Sequence, residues 1–276
     1  MIGNRWSALG CAVAGTMLVL WLGACSDGSA PSDDAIPSAE AADIGDAVAD
    51  EGEQASLAVE PVARGCATVD DLTDTDHDGA PDHATFTYAL PACHFTGYRG
   101  GTLDVTGTIV LSDPTPMAAD FAYQATLEDF TRAFTGPAGA RSFTAVRNGT
   151  RVLTGNASGL SLSNTITVVR TYPARPQGTV SHNLLLQFTP AAGASLERGE
   201  PLPDGTFTES GTLTWSRAGR SRTFTVSTVA PLVWDASCTT ERKIASGEIH
   251  LTLASGGYVG LVWSGCGEDP ERSFVG

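Results

Sequence analysis

Apolar and polar side chains alternate along most of the chain from residue 85 onward. Leu103, Val105 and Ile109 fall on one face of such a segment, and Thr106 and Thr108 fall on the other. A period of two residues, with threonine opposite aliphatic side chains, is typical of half-buried antiparallel strands. Similar alternation is found in residues 85–90, 121–127, 160–172, 180–188, 207–215, 224–226, 249–253 and 258–263.

Turn residues separate these segments, as at Asp113-Pro114 and at Asn148-Gly149. Short apolar segments with turn residues between them predict one all-β domain of about ten antiparallel strands, either a sandwich or a curved half-barrel sheet. Gly101, Gly211 and Gly247 each precede a similar alternating run, and we interpret each of them as a strand start.

Residues 119–135 also allow a different interpretation. Phe121, Leu127, Phe130 and Phe134 partly fit the spacing of one helix face, so a short helix is the alternative to a strand in this segment.

The acidic composition restricts the partners that this chain can bind. The chain has 31 Asp and Glu residues against 16 Lys and Arg, which gives a net charge of −15. Nucleic-acid binding requires a basic face, so we expect no nucleic-acid partner. Residues 26–60 carry many acids and no base, between Ala, Ser, Gly and Pro. We therefore expect residues 25–63 to be a disordered acidic tether and residues 64–276 to be the β domain.

The acidic loop of residues 70–82 is the clearest candidate site in the β domain. Asp74, Asp76 and Asp78 alternate, and Gly79 follows them. Alternate carboxylates that turn toward one point suit a hard cation with many oxygen ligands, and glycine permits the sharp bend. The alternative is an acidic, turn-rich loop without a metal.

This spacing resembles the calcium loops of thrombospondin type 3 repeats and, more loosely, those of dockerins and EF-hands. The resemblance implies structural calcium, with carboxylate ligands from Asp74, Asp76, Asp78 and Asp82 and a backbone carbonyl from Ala80. The chain departs from the EF-hand pattern at Thr85, where a bidentate acid would close the site. The closing ligand is therefore expected from elsewhere in the chain.

The first 24 residues have the pattern of a secretory signal, because Arg5 precedes an apolar run that ends in small residues. The stretch Leu22-Gly23-Ala24-Cys25 resembles the lipobox of bacterial lipoproteins. In that family a diacylglycerol is joined to the cysteine thiol, and a peptidase cuts before it. The resemblance implies that residues 1–24 are removed and that Cys25 carries acyl chains such as palmitate. An ordinary signal peptide with a chance cysteine is the alternative.

Four cysteines remain once Cys11 of the signal and Cys25 are set aside. An even number in an exported chain implies disulfides, and four cysteines allow three pairings. We favour the pairing between the cysteines nearest in sequence, which joins Cys66 to Cys93 and Cys238 to Cys266.

Motifs of catalysis are absent from the sequence. There is no Gly-x-Ser-x-Gly elbow, no His-Glu-x-x-His and no phosphate-binding glycine loop. His77, His83 and His94 lie near the acidic loop but lack the ligand spacing of a zinc site. Glu209 and Glu248 could form a carboxylate pair only if the fold brings them together. We therefore expect no enzyme.

Two functional hypotheses remain. The first is a lipid-anchored extracytoplasmic binding or structural module for a protein or small-molecule ligand, with a membrane contact through its lipid. The second is a carrier of lipid or another apolar ligand in a curved half-barrel.

Because Ser26 follows Cys25, the chain lacks the aspartate that is linked in enteric bacteria with inner-membrane retention. The resemblance thus implies the outer membrane, on the periplasmic side or at the cell surface.

Overall fold

The computed structural model describes Ile44 and residues 66–98, 101–118, 120–137, 142–173, 175–197, 200–239 and 243–275. The predicted signal peptide, Cys25 and the predicted tether, apart from Ile44, lie outside the described residues. No described helix is long and apolar enough to cross a membrane. The strands are β1 (Thr68–Val69), β2 (His83–Tyr88), β3 (His94–Tyr98), β4 (Gly101–Ser112), β5 (Tyr123–Thr135), β6 (Phe143–Asn156), β7 (Gly159–Tyr172), β8 (Arg175–Pro190), β9 (Gly205–Arg217), β10 (Arg220–Trp234), β11 (Ile244–Leu253), β12 (Tyr258–Trp263) and β13 (Glu271–Val275).

The thirteen strands form one continuous antiparallel sheet that is not closed. Each strand from β4 onward pairs with the strand before it. Strands β2 and β3 both pair with β4, one along residues 107–112 and the other along residues 101–104, so they lie in line on the same side of it. The predicted all-β, antiparallel class is confirmed, and the open single sheet is consistent with the curved-sheet alternative. Strands β1, β3 and β13 were not predicted because they have two to five residues, which is too short to show a period. Strand β6 was not predicted either, and the turn predicted at Asn148-Gly149 is wrong, because both residues lie in the middle of this strand.

Burial follows the predicted alternation and creates two hydrophobic clusters. The larger cluster lies mainly on β7 to β12 and contains Leu213, Phe224 and Leu251, each 0% exposed. The smaller cluster lies mainly on β2 to β7 and contains Phe86 and Val168. Because alternate residues of each strand point to the same face, one face of the sheet is buried along most of its width. We call this face the inner face.

Strand β5 replaces the helix that residues 119–135 would allow, so that alternative is wrong. A bulge lies between Leu127 and Phe130, where Asp129 has φ 47°. One extra residue on one strand shifts the inward positions by one, so Leu127 and Phe130 both face inward at a helix-like spacing of three. Phe130 packs edge-on against Tyr88, with ring centroids 5.3 Å apart.

Glycines inside the strands allow close backbone approach between neighbours. Gly211 has φ 138°, and a Cβ there would come within 2.1 Å of the carbonyl oxygen of Asn183 on β8. Gly211 and Gly247 lie inside β9 and β11, so their interpretation as strand starts is wrong, whereas Gly101 does begin β4. Mid-strand glycines at such contacts mark bends of the sheet.

Two disulfides connect the cysteines that are nearest in sequence. Cys66 is paired with Cys93 and Cys238 with Cys266, with Cα–Cα distances of 5.1 and 6.0 Å. The favoured pairing is thus found in the structure. The first disulfide holds the chain before the acidic loop against the start of β3, and the second joins the ends of the β10–β11 and β12–β13 connections.

Candidate metal centre

The acidic loop of residues 70–82 connects β1 to β2 and is closed by backbone hydrogen bonds. The amide of Asp82 donates to the carbonyl oxygen of Thr73 at 2.7 Å. Inside this closed loop, carboxylate oxygens of Asp74, Asp76 and Asp78 all lie within 4.8 Å of one another. The structure therefore brings together the three alternating aspartates of the predicted calcium loop.

The backbone wraps around these carboxylates. Asp74 accepts hydrogen bonds from the amides of Asp78 (3.2 Å) and Gly79 (2.9 Å), and Asp76 also accepts from the amide of Asp78 (3.2 Å). His77 and Gly79 have φ values of 62° and 92°, which produce the tight bend. These amides orient the carboxylates and offset part of their mutual repulsion.

Asp78 is the most buried of the three clustered carboxylates, and Asp76, like Asp78, has a buried Oδ2 without a hydrogen-bond partner. The Asp78 side chain is 8% exposed, and its Oδ1 accepts the amide of Ala80 at 2.8 Å, but its buried Oδ2 has no hydrogen-bond partner. Burial, and then the charges of Asp76 and Asp113, raise the pKa of the Asp78 carboxyl above its ordinary value. A buried carboxylate oxygen is costly unless a hydrogen-bond donor or a cation accompanies it.

A second loop, between β4 and β5, reaches the same place. Asp113 at its start is 6% exposed; its Oδ1 accepts the amide of Thr115 at 2.7 Å, and its Oδ2 is buried without a partner. The backbone of Asp120 in this loop makes a hydrogen bond to the Asp78 carboxylate, which offsets part of the rise in the pKa of Asp78. Asp113 therefore lies beside the acidic loop, whose own Asp74, Asp76 and Asp78 form the cluster of carboxylates within 4.8 Å of one another.

The sequence predicts only a turn at Asp113-Pro114, so Asp113 was not among the predicted site residues. The signal that could have found it is strand pairing: β2 pairs with β4 so that His83 lies opposite Ser112. The residue before β2 and the residue after β4 are then neighbours, which places Asp113 beside the acidic loop.

The other two predicted ligands, Asp82 and Ala80, also make hydrogen bonds within the loop. Both carboxylate oxygens of Asp82 accept hydrogen bonds from Thr75, one from its amide (3.0 Å) and one from its hydroxyl (2.6 Å). Asp82 therefore braces the loop. Ala80 contacts Asp78 through its amide. The carboxylates that lie together are those of Asp74, Asp76 and Asp78, a set of oxygens that suits a hard cation such as calcium, and Asp113 lies on the adjoining loop.

Other polar groups of the described chain form pairs rather than a site. His94 contacts Asp104 at 2.5 Å, and His250 contacts Glu248 at 2.6 Å. Asp235 lies near Cys238 and Cys266, but these cysteines form a disulfide and offer no thiolate.

Glu209 and Glu248 do not form a carboxylate pair. Glu209 lies on the inner face of β9, in the same alternation as Phe207 and Leu213, and is 3% exposed. Glu248 alternates with buried Ile249 on β11 and so points to the other face. Burial alone raises the pKa of Glu209 to about 7.

A polar band crosses the inner face between the two hydrophobic clusters. On β6, Arg147 and Arg151 lie between Ala145 of the smaller cluster and Leu153 of the larger one. On β7, Asn164 (0% exposed) occupies the corresponding boundary, and Arg151 donates to its side-chain oxygen at 3.3 Å.

The described residues thus define a class: an open, single-sheet antiparallel β protein with two disulfides and a cluster of three aspartates in one loop. No protein-family model, no curated protein and no solved structure matches this chain.

Proposed function

We propose that this protein is a lipid-anchored extracytoplasmic module that binds a ligand or a structural partner through its surface, with calcium as a structural cofactor. The filling of the inner face is the observation that supports surface binding over a carrier. Phe224, Leu213 and Leu251 on that face are 0% exposed. A carrier would instead need apolar side chains around an open space.

The outer face of β7 to β10 offers groups suited to surface recognition. Hydroxyl pairs bond across neighbouring strands, such as Thr167 with Ser181 and Thr214 with Thr223, each at 3.0 Å. Rows of hydroxyls provide donors and acceptors without net charge, which supports a polar, neutral ligand surface over an ionic one.

A fluorescent fatty acid tests surface binding against the carrier function. If the inner face is filled by the protein, titration of the wild-type chain should give no saturable signal. Saturable binding at one molecule per chain would contradict the filled inner face and would favour the apolar carrier.

Calcium is supported by the cluster of Asp74, Asp76 and Asp78 and by the partnerless oxygens of Asp76, Asp78 and Asp113. These residues lie on two loops, so a cation shared by them would connect the start of β2 to the end of β4. Calcium that binds only the folded state raises the free energy of unfolding by RT ln(1 + [L]/Kd), which is about 1.4 kcal/mol when the calcium concentration is ten times Kd. The proposed role of calcium is therefore to stabilise the fold where these two loops meet. Kd values near 10⁻⁴ M would suffice outside the cytoplasm, as is usual for extracellular calcium modules.

Lipid anchoring at Cys25, in the outer membrane, rests on the lipobox resemblance. Incorporation of radiolabelled palmitate in bacteria tests it, with Cys11→Ala as the matched control because Cys11 lies within the signal. Label should be lost in Cys25→Ala and retained in Cys11→Ala. Label on the Cys25→Ala chain would contradict the anchor, and fractionation of the wild-type chain away from the outer membrane would contradict the location.

A further inference from the structure

The outer face of the sheet is uncharged across five segments of β6 to β10, namely residues 144–156, 161–171, 179–189, 206–216 and 221–227. The charged residues within these segments, such as Arg147 and Glu209, all occupy inward positions in the alternation. The outward positions hold Ser, Thr, Asn and Gln, with a few Val and Leu. Threonine is common on exposed strands, but charged side chains normally accompany it and keep such a face soluble. We call these outward positions the hydroxyl surface.

Polar side chains of the hydroxyl surface line up from strand to strand. Thr165, Asn183, Thr212 and Thr225 are successive partners on β7 to β10, and all four are exposed. The Thr165 hydroxyl donates to the side-chain oxygen of Asn183 at 3.4 Å. Because neighbouring strands lie about 4.8 Å apart, this row presents a polar group at every strand along roughly 15 Å. The surface can therefore contact an extended ligand that repeats its hydroxyl groups along its length.

An aromatic pair lies at the end of this row. The row continues across β11 to Tyr258 on β12. The Tyr258 ring stacks on His250, with ring centroids 4.1 Å apart, and His250 contacts Glu248 at 2.6 Å. A Cβ on Gly260 would lie 3.5 Å from the Tyr258 ring, 3.6 Å from the His250 ring and 2.4 Å from the Ser273 hydroxyl oxygen. Two rings, a carboxylate and a hydroxyl thus gather beside the hydroxyl surface.

We propose that the hydroxyl surface, with this aromatic pair at its end, binds an uncharged polysaccharide. The inference rests on the surface binding proposed above and names the class of the ligand. The hydroxyl groups of a polysaccharide exchange hydrogen bonds with Ser, Thr and Asn, and the C–H faces of its sugar rings pack against aromatic side chains.

The composition of the hydroxyl surface disfavours the other classes of ligand. An anionic polymer requires basic side chains, and the surface has none within the five segments. A protein interface requires aromatic, Met or Arg anchors at its centre, where this surface holds Asn183 and Thr212. A ligand that is itself neutral and rich in hydroxyls is the complement of these side chains.

Affinity electrophoresis of the full chain in native gels tests the class of ligand. The gels contain hydroxyethylcellulose, dextran or mannan as neutral probes, and carboxymethylcellulose or dextran sulfate as charged derivatives of the first two. Relative to serum albumin, the chain should migrate more slowly with at least one neutral polymer and should not be slowed by the charged derivatives. Unchanged migration with all three neutral polymers, or slowing by the charged derivatives alone, would overturn the proposal.

Paired valine variants test whether the polymer binds at the hydroxyl surface. Thr212→Val with Thr225→Val removes two facing hydroxyls and keeps the shape of the side chains, so it should raise the Kd for the bound polymer about tenfold or more. Thr87→Val with Thr108→Val, a facing pair on β2 and β4, is the matched control and should leave the Kd unchanged. An equal Kd for the two double variants would overturn the proposal.

A charge placed on the surface gives a second test. Thr212→Glu should abolish the slowing in the gel, and Thr239→Glu, an exposed change in the connection between β10 and β11, should not. Slowing of Thr212→Glu to the wild-type extent would also contradict the proposal.

The fatty-acid titration separates the failure of this inference from the failure of the surface function. If neither a neutral polysaccharide nor the fatty acid binds, the ligand class is wrong and the surface function is not contradicted. Saturable binding of the fatty acid would contradict the surface function itself.

Discussion

The backbone amide of Asp113 donates a hydrogen bond to the carbonyl oxygen of Asp82 at 3.2 Å, and this contact joins the acidic loop to the loop that follows β4. It places Asp113, whose carboxylate has a buried oxygen without a hydrogen-bond partner, beside the loop that contains Asp78. The acidic loop thus does not stand alone, because a second loop contributes to its charge and burial.

Asp113→Asn should weaken calcium binding while the loop geometry is kept. Asparagine retains the oxygen that accepts the amide of Thr115, but it removes the negative charge from the centre. We expect the Kd for calcium to rise about tenfold, or about 1.4 kcal/mol, in isothermal titration calorimetry. Glu128→Gln, an exposed change on β5, is the control and should leave the Kd unchanged. An unchanged Kd in Asp113→Asn would exclude Asp113 as a ligand.

Asp76→Ala should remove the stabilisation by calcium. At ten times Kd, calcium should raise the Tm of the wild-type chain by about 3–5 °C, and a chelator should reverse the gain. Magnesium should substitute poorly, because it requires tight octahedral geometry and keeps its waters. Asp104→Ala lies outside the loop and should retain the full calcium response. If Asp76→Ala melts with the calcium dependence of the wild-type chain, the loop is only an acidic turn.

Local patterns predicted most of the long strands, because half-buried strands leave a period of two in the sequence. They missed β6, where Asn148-Gly149 favoured a turn. The bulge at Asp129 was not predictable in this way, since its effect depends on pairing with Gly107 across the sheet, where an added Cβ would come within 2.4 Å of the Asp129 carbonyl oxygen. Asp74, Asp76 and Asp78 were found because they are adjacent in sequence. Asp113 and the buried band with Arg147 were missed, because only the pairing of strands brings distant residues to one place.

Gly211→Ala should destabilise the sheet at the contact between β8 and β9. The new Cβ would meet the carbonyl oxygen of Asn183 at 2.1 Å, and alanine is strained at φ 138°. We expect a loss of at least about 2 kcal/mol in urea unfolding. Gly178→Ala is the matched control on β8, because its Cβ would meet its nearest neighbour at an ordinary 3.6 Å. Equal stability of the two variants would show that the backbone approach at Gly211 is not required.

Glu209 should make the protein less stable as the pH rises from about 4.5 to about 7. Burial raises the pKa of this carboxyl from 4.5 to about 7 in the folded state, so the folded chain retains a proton that the unfolded chain releases. The stabilisation is complete below the unfolded pKa of 4.5 and is lost as the pH approaches 7, by roughly 3 kcal/mol in all.

Glu209→Gln removes this titration while it keeps a polar side chain of the same size. Relative to the wild-type chain, the variant should therefore gain stability steadily between pH 4.5 and 7, when unfolding is measured in urea at saturating calcium. Glu248→Gln lies on the other face of the sheet and should show no such trend. A constant difference between Glu209→Gln and the wild-type chain across this range would mean that Glu209 ionises in the folded protein as it does in water. The carboxyl would then not be held in an apolar environment.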